Sequence, residues 1–198
     1  MKKLFLLLCL LPMLASVGLA QESRQDASVS FVGTYQPTIT GNSAIQTSTL
    51  GKGVLLGYRF MLTPSSALEG NYQYSQFDMK FAGNFGPARV HTSFQEGSVA
   101  YVRSFVYKKF NPFGEVGGAL LFFRPVDDTG TTTNAASNTR SYAGLFGGGI
   151  AYELSPSWDL RVQYRGFVLK SIDFGIGQYN TNRFYVIEQP AIGVAYHF

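Results

Sequence analysis

The sequence predicts an all-β chain, an eight-stranded antiparallel up-and-down transmembrane β-barrel. Three observations predict it. Eight stretches alternate apolar and polar residues with a period of two, short turns alternate strictly with long polar loops, and the chain stops on an apolar strand rather than a polar tail.

The N-terminus comes first. Met1, Lys2 and Lys3 form a basic start, residues 4–14 are an apolar run, and Gly18, Leu19 and Ala20 are the small residues that precede a cleavage site. Residues 1–20 are therefore expected to be a cleaved signal peptide, and residues 21–198 one barrel domain. Pro12 interrupts the run, which is shorter than the ~20 residues a spanning helix needs. The single cysteine, Cys9, lies in the signal, so the exported chain has none left for disulfides, thiol catalysis or cysteine-ligated metals. Lys2 and Lys3 go with it, which lowers sixteen basic residues to fourteen against twelve acidic ones. That near balance speaks against nucleic acid as a partner. No cofactor is expected.

The strands are expected at 27–35, 51–62, 67–79, 92–107, 113–124, 140–154, 157–170 and 184–198. Three connections are short and contain proline, at 63–66, 108–112 and 155–157. Four are long and rich in Gly, Thr, Ser and Asn, at 36–50, 80–91, 125–139 and 171–183. Two of the short turns echo each other. Leu62-Thr63-Pro64-Ser65 with Leu68 and Tyr72 recurs as Leu154-Ser155-Pro156-Ser157 with Leu160 and Tyr164, at an offset of 92. In such a barrel the short turns face the periplasm and the long loops the outside. Gly147-Gly148-Gly149 relieves tight curvature.

The strand at 157–170 tells which face is apolar: Trp158, Leu160, Val162, Tyr164 and Val168 alternate with Asp159, Arg161, Gln163 and Arg165. Phe198, Tyr196, Val194 and Ile192 continue the apolar face to the end of the chain, and that face is assigned to lipid. Trp158, Tyr152, Tyr196 and Phe198 near one rim, and Tyr35, Tyr142, Phe167 and Phe184 near the other, read as two aromatic girdles. Arg103 breaks the rule by sharing parity with Val99 and Tyr101, which requires a bulge or a snorkelling side chain.

These features resemble the small eight-stranded outer-membrane barrels of diderm bacteria, the group that includes OmpX and the transmembrane domain of OmpA. The terminal Tyr196-His197-Phe198 is similar to the signal read by the outer-membrane assembly machinery. The resemblance implies an exported protein of the bacterial outer membrane with the assembly machinery and outer-membrane lipid as partners. It implies fold and place more firmly than activity. The chain is expected to end at the barrel, without a peptidoglycan-binding domain.

With eight strands, side chains are expected to fill the lumen. Arg59, Glu69, Glu153, Arg161 and Arg165 share the inward face near the short turns and form a candidate polar network, with Glu153 and Arg161 as diagonal neighbours across their hairpin. An enzymatic alternative rests on His91 and Ser93, which resemble the His and Ser of the outer-membrane lipid A deacylases. No acidic residue follows about a dozen positions later, and Glu96 has the opposite parity. The preferred reading is a non-enzymatic, monomeric barrel with a structural or surface-interaction role through its long loops. Lys52, Lys80, Arg89, Arg124, Arg140, Lys170 and Arg183 sit at or next to strand ends on the loop side, and a ring of cations there would meet lipopolysaccharide phosphates.

Overall fold

The computed structural model describes residues 24–84, 86–133 and 135–198, so the expected signal at 1–20 lies outside the described residues. Ten strands follow one another: β1 Gln25–Thr34, β2 Ile39–Gly41, β3 Ala44–Ser48, β4 Gly51–Thr63, β5 Ser66–Gly83, β6 Ala88–Ser104, β7 Phe110–Pro125, β8 Thr139–Ser155, β9 Trp158–Lys170 and β10 Phe184–His197. Eight of them, β1 and β4 to β10, pair in chain order around a closed antiparallel barrel, with β10 returning to β1 from Asp26↔His197 to Val32↔Ala191. Closure removes the exposed edges that an open sheet would present to lipid. The remaining two strands form a small hairpin inside the expected 36–50 loop, and β3 lies on the upper part of β5, with Ile45 opposite Ala82 and Thr47 opposite Lys80.

Both echoed proline turns contain the same register shift, between Met61 and Thr63 and between Glu153 and Ser155. The third short turn sits earlier than expected: β6 stops at Ser104, β7 starts at Phe110 with Pro112 inside it, and Lys108 takes a positive φ of 56°. Proline is tolerated there because it sits near the end of the strand.

The outward face carries Val54, Leu56, Tyr58, Phe60 and Leu62 on β4, all exposed, as lipid requires. Higher up, the pattern inverts. On β5 the exposed apolar residues are Leu68, Tyr72 and Tyr74, while beyond them the buried, inward ones are Phe77, Met79 and Phe81. Gln76, Asp78 and Lys80 now point outward. Below Tyr74 the wall meets lipid and its apolar side chains face out; above it the wall meets water and its apolar side chains face in. As a result β5 and β6 continue well into the expected 80–91 loop, which shrinks to a tight hairpin.

The interior is accordingly two-layered. The lower half holds Asp26, Arg59, Glu69, Glu96, Glu115, Arg161 and Arg165, all buried. The upper half is an apolar cluster built on Phe77, Phe94, Phe123, Leu145, Phe167 and Leu169. Ile172, Phe174 and Tyr179 from the 171–183 loop join that cluster from above, with Tyr179 stacked on Phe81 at 4.4 Å. Phe167 therefore does not belong to the outer aromatic girdle. It is fully buried, because odd positions of β9 face the lumen.

Candidate functional site

The lower lumen is where charged side chains converge. Three arginines meet four carboxylates in two adjoining groups. Arg59 Nε donates to Glu69 Oε2 at 2.6 Å, and its Nη2 also pairs with that oxygen. Arg161 Nη2 donates to Asp26 Oδ2 at 3.1 Å, and its Nη1 lies 4.0 Å from Glu69. Arg165 makes a two-pronged contact with Glu96, Nη1 to Oε2 at 3.1 Å and Nη2 to Oε1 at 2.8 Å. The same Nη2 donates to Ser98 Oγ at 2.8 Å. Arg165 Nε is 3.6 Å from Glu115. Phe113 closes the layer from below, with the Arg59 guanidinium 4.9 Å from its ring centre. At the mouth, His197 Nε2 is 2.9 Å from Asp159 Oδ2.

Charges so placed need one another, since an isolated ion in a dry interior costs several kcal/mol even after relaxation. Local sequence provides the room. Gly147 on β8 pairs with Glu115 on one side and Arg165 on the other, and a Cβ there would lie 2.5 Å from Glu115 Oε1. The Gly147 position is thus what allows the two long side chains to share one level.

Of the residues named from sequence, Arg59, Glu69, Arg161 and Arg165 come together. Glu153 does not join them. It is only half-buried, its Cα partner is Asp159, and among the described residues no ion pair or side-chain hydrogen bond reaches it. It sits too close to the turn, and Arg161 turns instead toward Asp26 on β1. Asp26, Glu96 and Glu115 were missed, although alternation alone puts Glu96 and Glu115 inward; Asp26 falls one residue before the expected start of its strand. Arg103 keeps its outward parity without a bulge and donates from Nη1 to Ser66 Oγ at 2.7 Å, so it reaches along the rim.

His91 and Ser93 both face outward on β6, but no hydrogen bond joins them among the described residues. His91 Nδ1 is 2.8 Å from Asp78 Oδ1, and its Nε2 is 3.8 Å from Asp128 Oδ2. The acidic partner lies thirteen positions upstream on the neighbouring strand rather than downstream. Both ring nitrogens face carboxylates, and Ser93 is left without an activating base. At the upper rim Lys52 and Arg124 share one row across β4 to β7 through Gln76 and Ser93. Lys80 lies six residues beyond Tyr74, ~20 Å further along the strand, opposite Arg89, which is tied to Asp78. Arg140 stands over the Phe122 ring at 5.6 Å, and Lys170 and Arg183 are exposed near the upper ends of β9 and β10. At the opposite rim Tyr196 packs at a tilt against Trp158 and stacks on Phe198, and the Phe198 N–H donates to the Gln25 carbonyl at 3.1 Å.

The family model described as the OmpA-like transmembrane domain matches residues 15–198. Among solved structures the fold is similar to OprG from Pseudomonas aeruginosa, at 11% identity and a TM-score of 0.67, covering 90% of this chain and 97% of that one. It is also similar to Neisserial surface protein A, at 14% identity and 0.59, covering 89% and 98%. Ail of Yersinia pestis, solved in complex with the heparin analogue sucrose octasulfate, follows at 12% identity and 0.55, covering 90% and 100%. No curated protein sequence matches this chain.

Proposed function

Because this chain belongs to the OmpA-like transmembrane domain family and is an outer-membrane β-barrel, we propose that it is a closed, monomeric, non-enzymatic barrel that works through its outer surface, delivered there by a signal at 1–20. The observation that carries this reading is the two-layered interior. Ion pairs occupy the lower lumen and an apolar cluster roofed by Ile172, Phe174 and Tyr179 occupies the upper one. A solute would have to break charge-assisted hydrogen bonds below and part an apolar cluster above, which supports a lumen that is filled rather than conducting.

The surface supplies the interactions. Lys80, Arg140, Lys170 and Arg183, with Arg124, give the loop side cations at several heights, a disposition suited to phosphates of lipopolysaccharide. A polyanion of the kind bound in the Ail complex is the same class of partner. Tyr196 and Phe198 are the residues offered to the assembly machinery. Liposome swelling tests the filled lumen. Vesicles carrying the folded protein should take up a pentose no faster than empty vesicles, and size-dependent uptake would remove the central support for this function.

A further inference from the structure

The outer wall carries one feature that neither the lumen nor the rim accounts for. The β1–β10 ladder runs to Val32↔Ala191 and resumes only at Tyr35↔Glu188. Pro190, which has no N–H to donate, sits in the gap. On the lipid side of this seam lies a groove of about 360 Å³, floored by Gly33 and Pro190 and bordered by Phe31, Leu50, Val162 and Ile192. A Cβ at Gly33 would meet Pro190 Cγ at 3.5 Å and Leu50 Cδ1 at 3.8 Å, so the glycine leaves open a space that a side chain would fill.

Two charges of opposite sign flank the groove. Lys52 on β4 lines the groove and pairs with Gly33. Glu188 on β10 shares its outward face with Phe184, Val186, Pro190 and Ile192. Neither Lys52 nor Glu188 makes an ion pair among the described residues. β1 separates them, so their backbones stand about two strand spacings, ~10 Å, apart. An unpaired carboxylate among lipid-facing apolar residues is costly, and such a residue marks a site when a partner is at hand.

We infer that this groove binds one ethanolamine glycerophospholipid. Lys52 meets the phosphate, Glu188 accepts hydrogen bonds from the primary ammonium, and one acyl chain runs down toward the periplasm over Phe31, Ile192 and Val162. The arrangement fits the lipid's own polarity, because Phe31, Ile192 and Val162 lie on the periplasmic side of Lys52 and Glu188. Purely anionic lipids leave Glu188 unpaired and repelled, and the phosphates of lipid A do the same. A choline head has no N–H to donate.

Native mass spectrometry of the folded barrel tests this, after equilibration in micelles with equal amounts of phosphatidylethanolamine, phosphatidylglycerol and phosphatidylcholine of identical chains, and separately with lipid A. The wild type should keep a single phosphatidylethanolamine about tenfold over the other lipids, the size of one charge-assisted contact. Glu188→Gln should erase that preference over phosphatidylglycerol, and Gly33→Leu should abolish retention of all three while heat-modifiable gel mobility stays that of a folded barrel. Retention of phosphatidylglycerol or lipid A as strong as that of phosphatidylethanolamine, an unchanged preference in Glu188→Gln, or a protein dimer in place of the bound lipid would each overturn the assignment. None of these outcomes touches the filled lumen, which conductance reports separately.

Discussion

Arg165 can be fully buried because its donors reach Glu96 and Ser98 while Glu115 lies close by. Breaking a buried pair by removing one partner strands the other, which costs about 3–5 kcal/mol, whereas replacing both partners is much milder. Arg165→Met should therefore lower the urea midpoint of the folded barrel by an amount equivalent to about 3–5 kcal/mol. Adding Glu96→Gln should recover a substantial part, and a single variant as stable as the wild type would show the network to be ornamental. The four residues Arg59, Glu69, Arg161 and Arg165 were legible because each alternates with a large apolar neighbour. Asp26 was not, since a lone acid just before the expected start of a strand looks like a loop until its partners on other strands are known, whereas Glu96 and Glu115 have the inward parity and were open to the same reading. Glu188 was hidden for the opposite reason: it sits on the apolar face, where alternation predicts no charge.

Among the elements, β10 bears the greatest share of closure. It pairs with β9 along its whole length and with β1 from His197 to Ala191, and the Phe198 N–H adds one more bond to Gln25. Deleting Phe198 or changing it to Ala should reduce assembled barrel in the outer membrane and increase periplasmic degradation, measured by fractionation and heat-modifiable mobility. Normal outer-membrane levels of the truncated chain would contradict this. The eight barrel strands were readable because lipid outside and polar side chains inside impose a period of two. The upper reaches of β5 and β6 were not, because the apolar parity switches between Tyr74 and Phe77 as the wall leaves lipid, and a window spanning the switch shows no period at all. The β2–β3 hairpin was hidden similarly: five residues such as Ala44–Ser48 are too short and too polar to stand out from a loop.

The whole molecule is a membrane barrel below and a water-facing barrel above, joined along the same strands. The cations on its loop side, proposed to meet lipopolysaccharide, lie at several heights above the lipid-facing wall, which gives them a testable energetic role. With Lys80, Arg140, Lys170 and Arg183 all changed to Gln, thermal stability should fall much more in membranes containing lipopolysaccharide than in neutral detergent, because only the former presents phosphates. Equal losses in both would make these residues ordinary solvated strand ends. Lys80, well above the others, should contribute least.

Planar-bilayer recording tests the filled interior most directly. If the ion pairs of Arg59, Arg161 and Arg165 below and the apolar cluster under Phe174 and Tyr179 above fill the lumen as proposed, insertion of the folded protein should produce no stable open state across the voltage range. A steady, large, weakly selective conductance from the wild-type barrel would contradict the account.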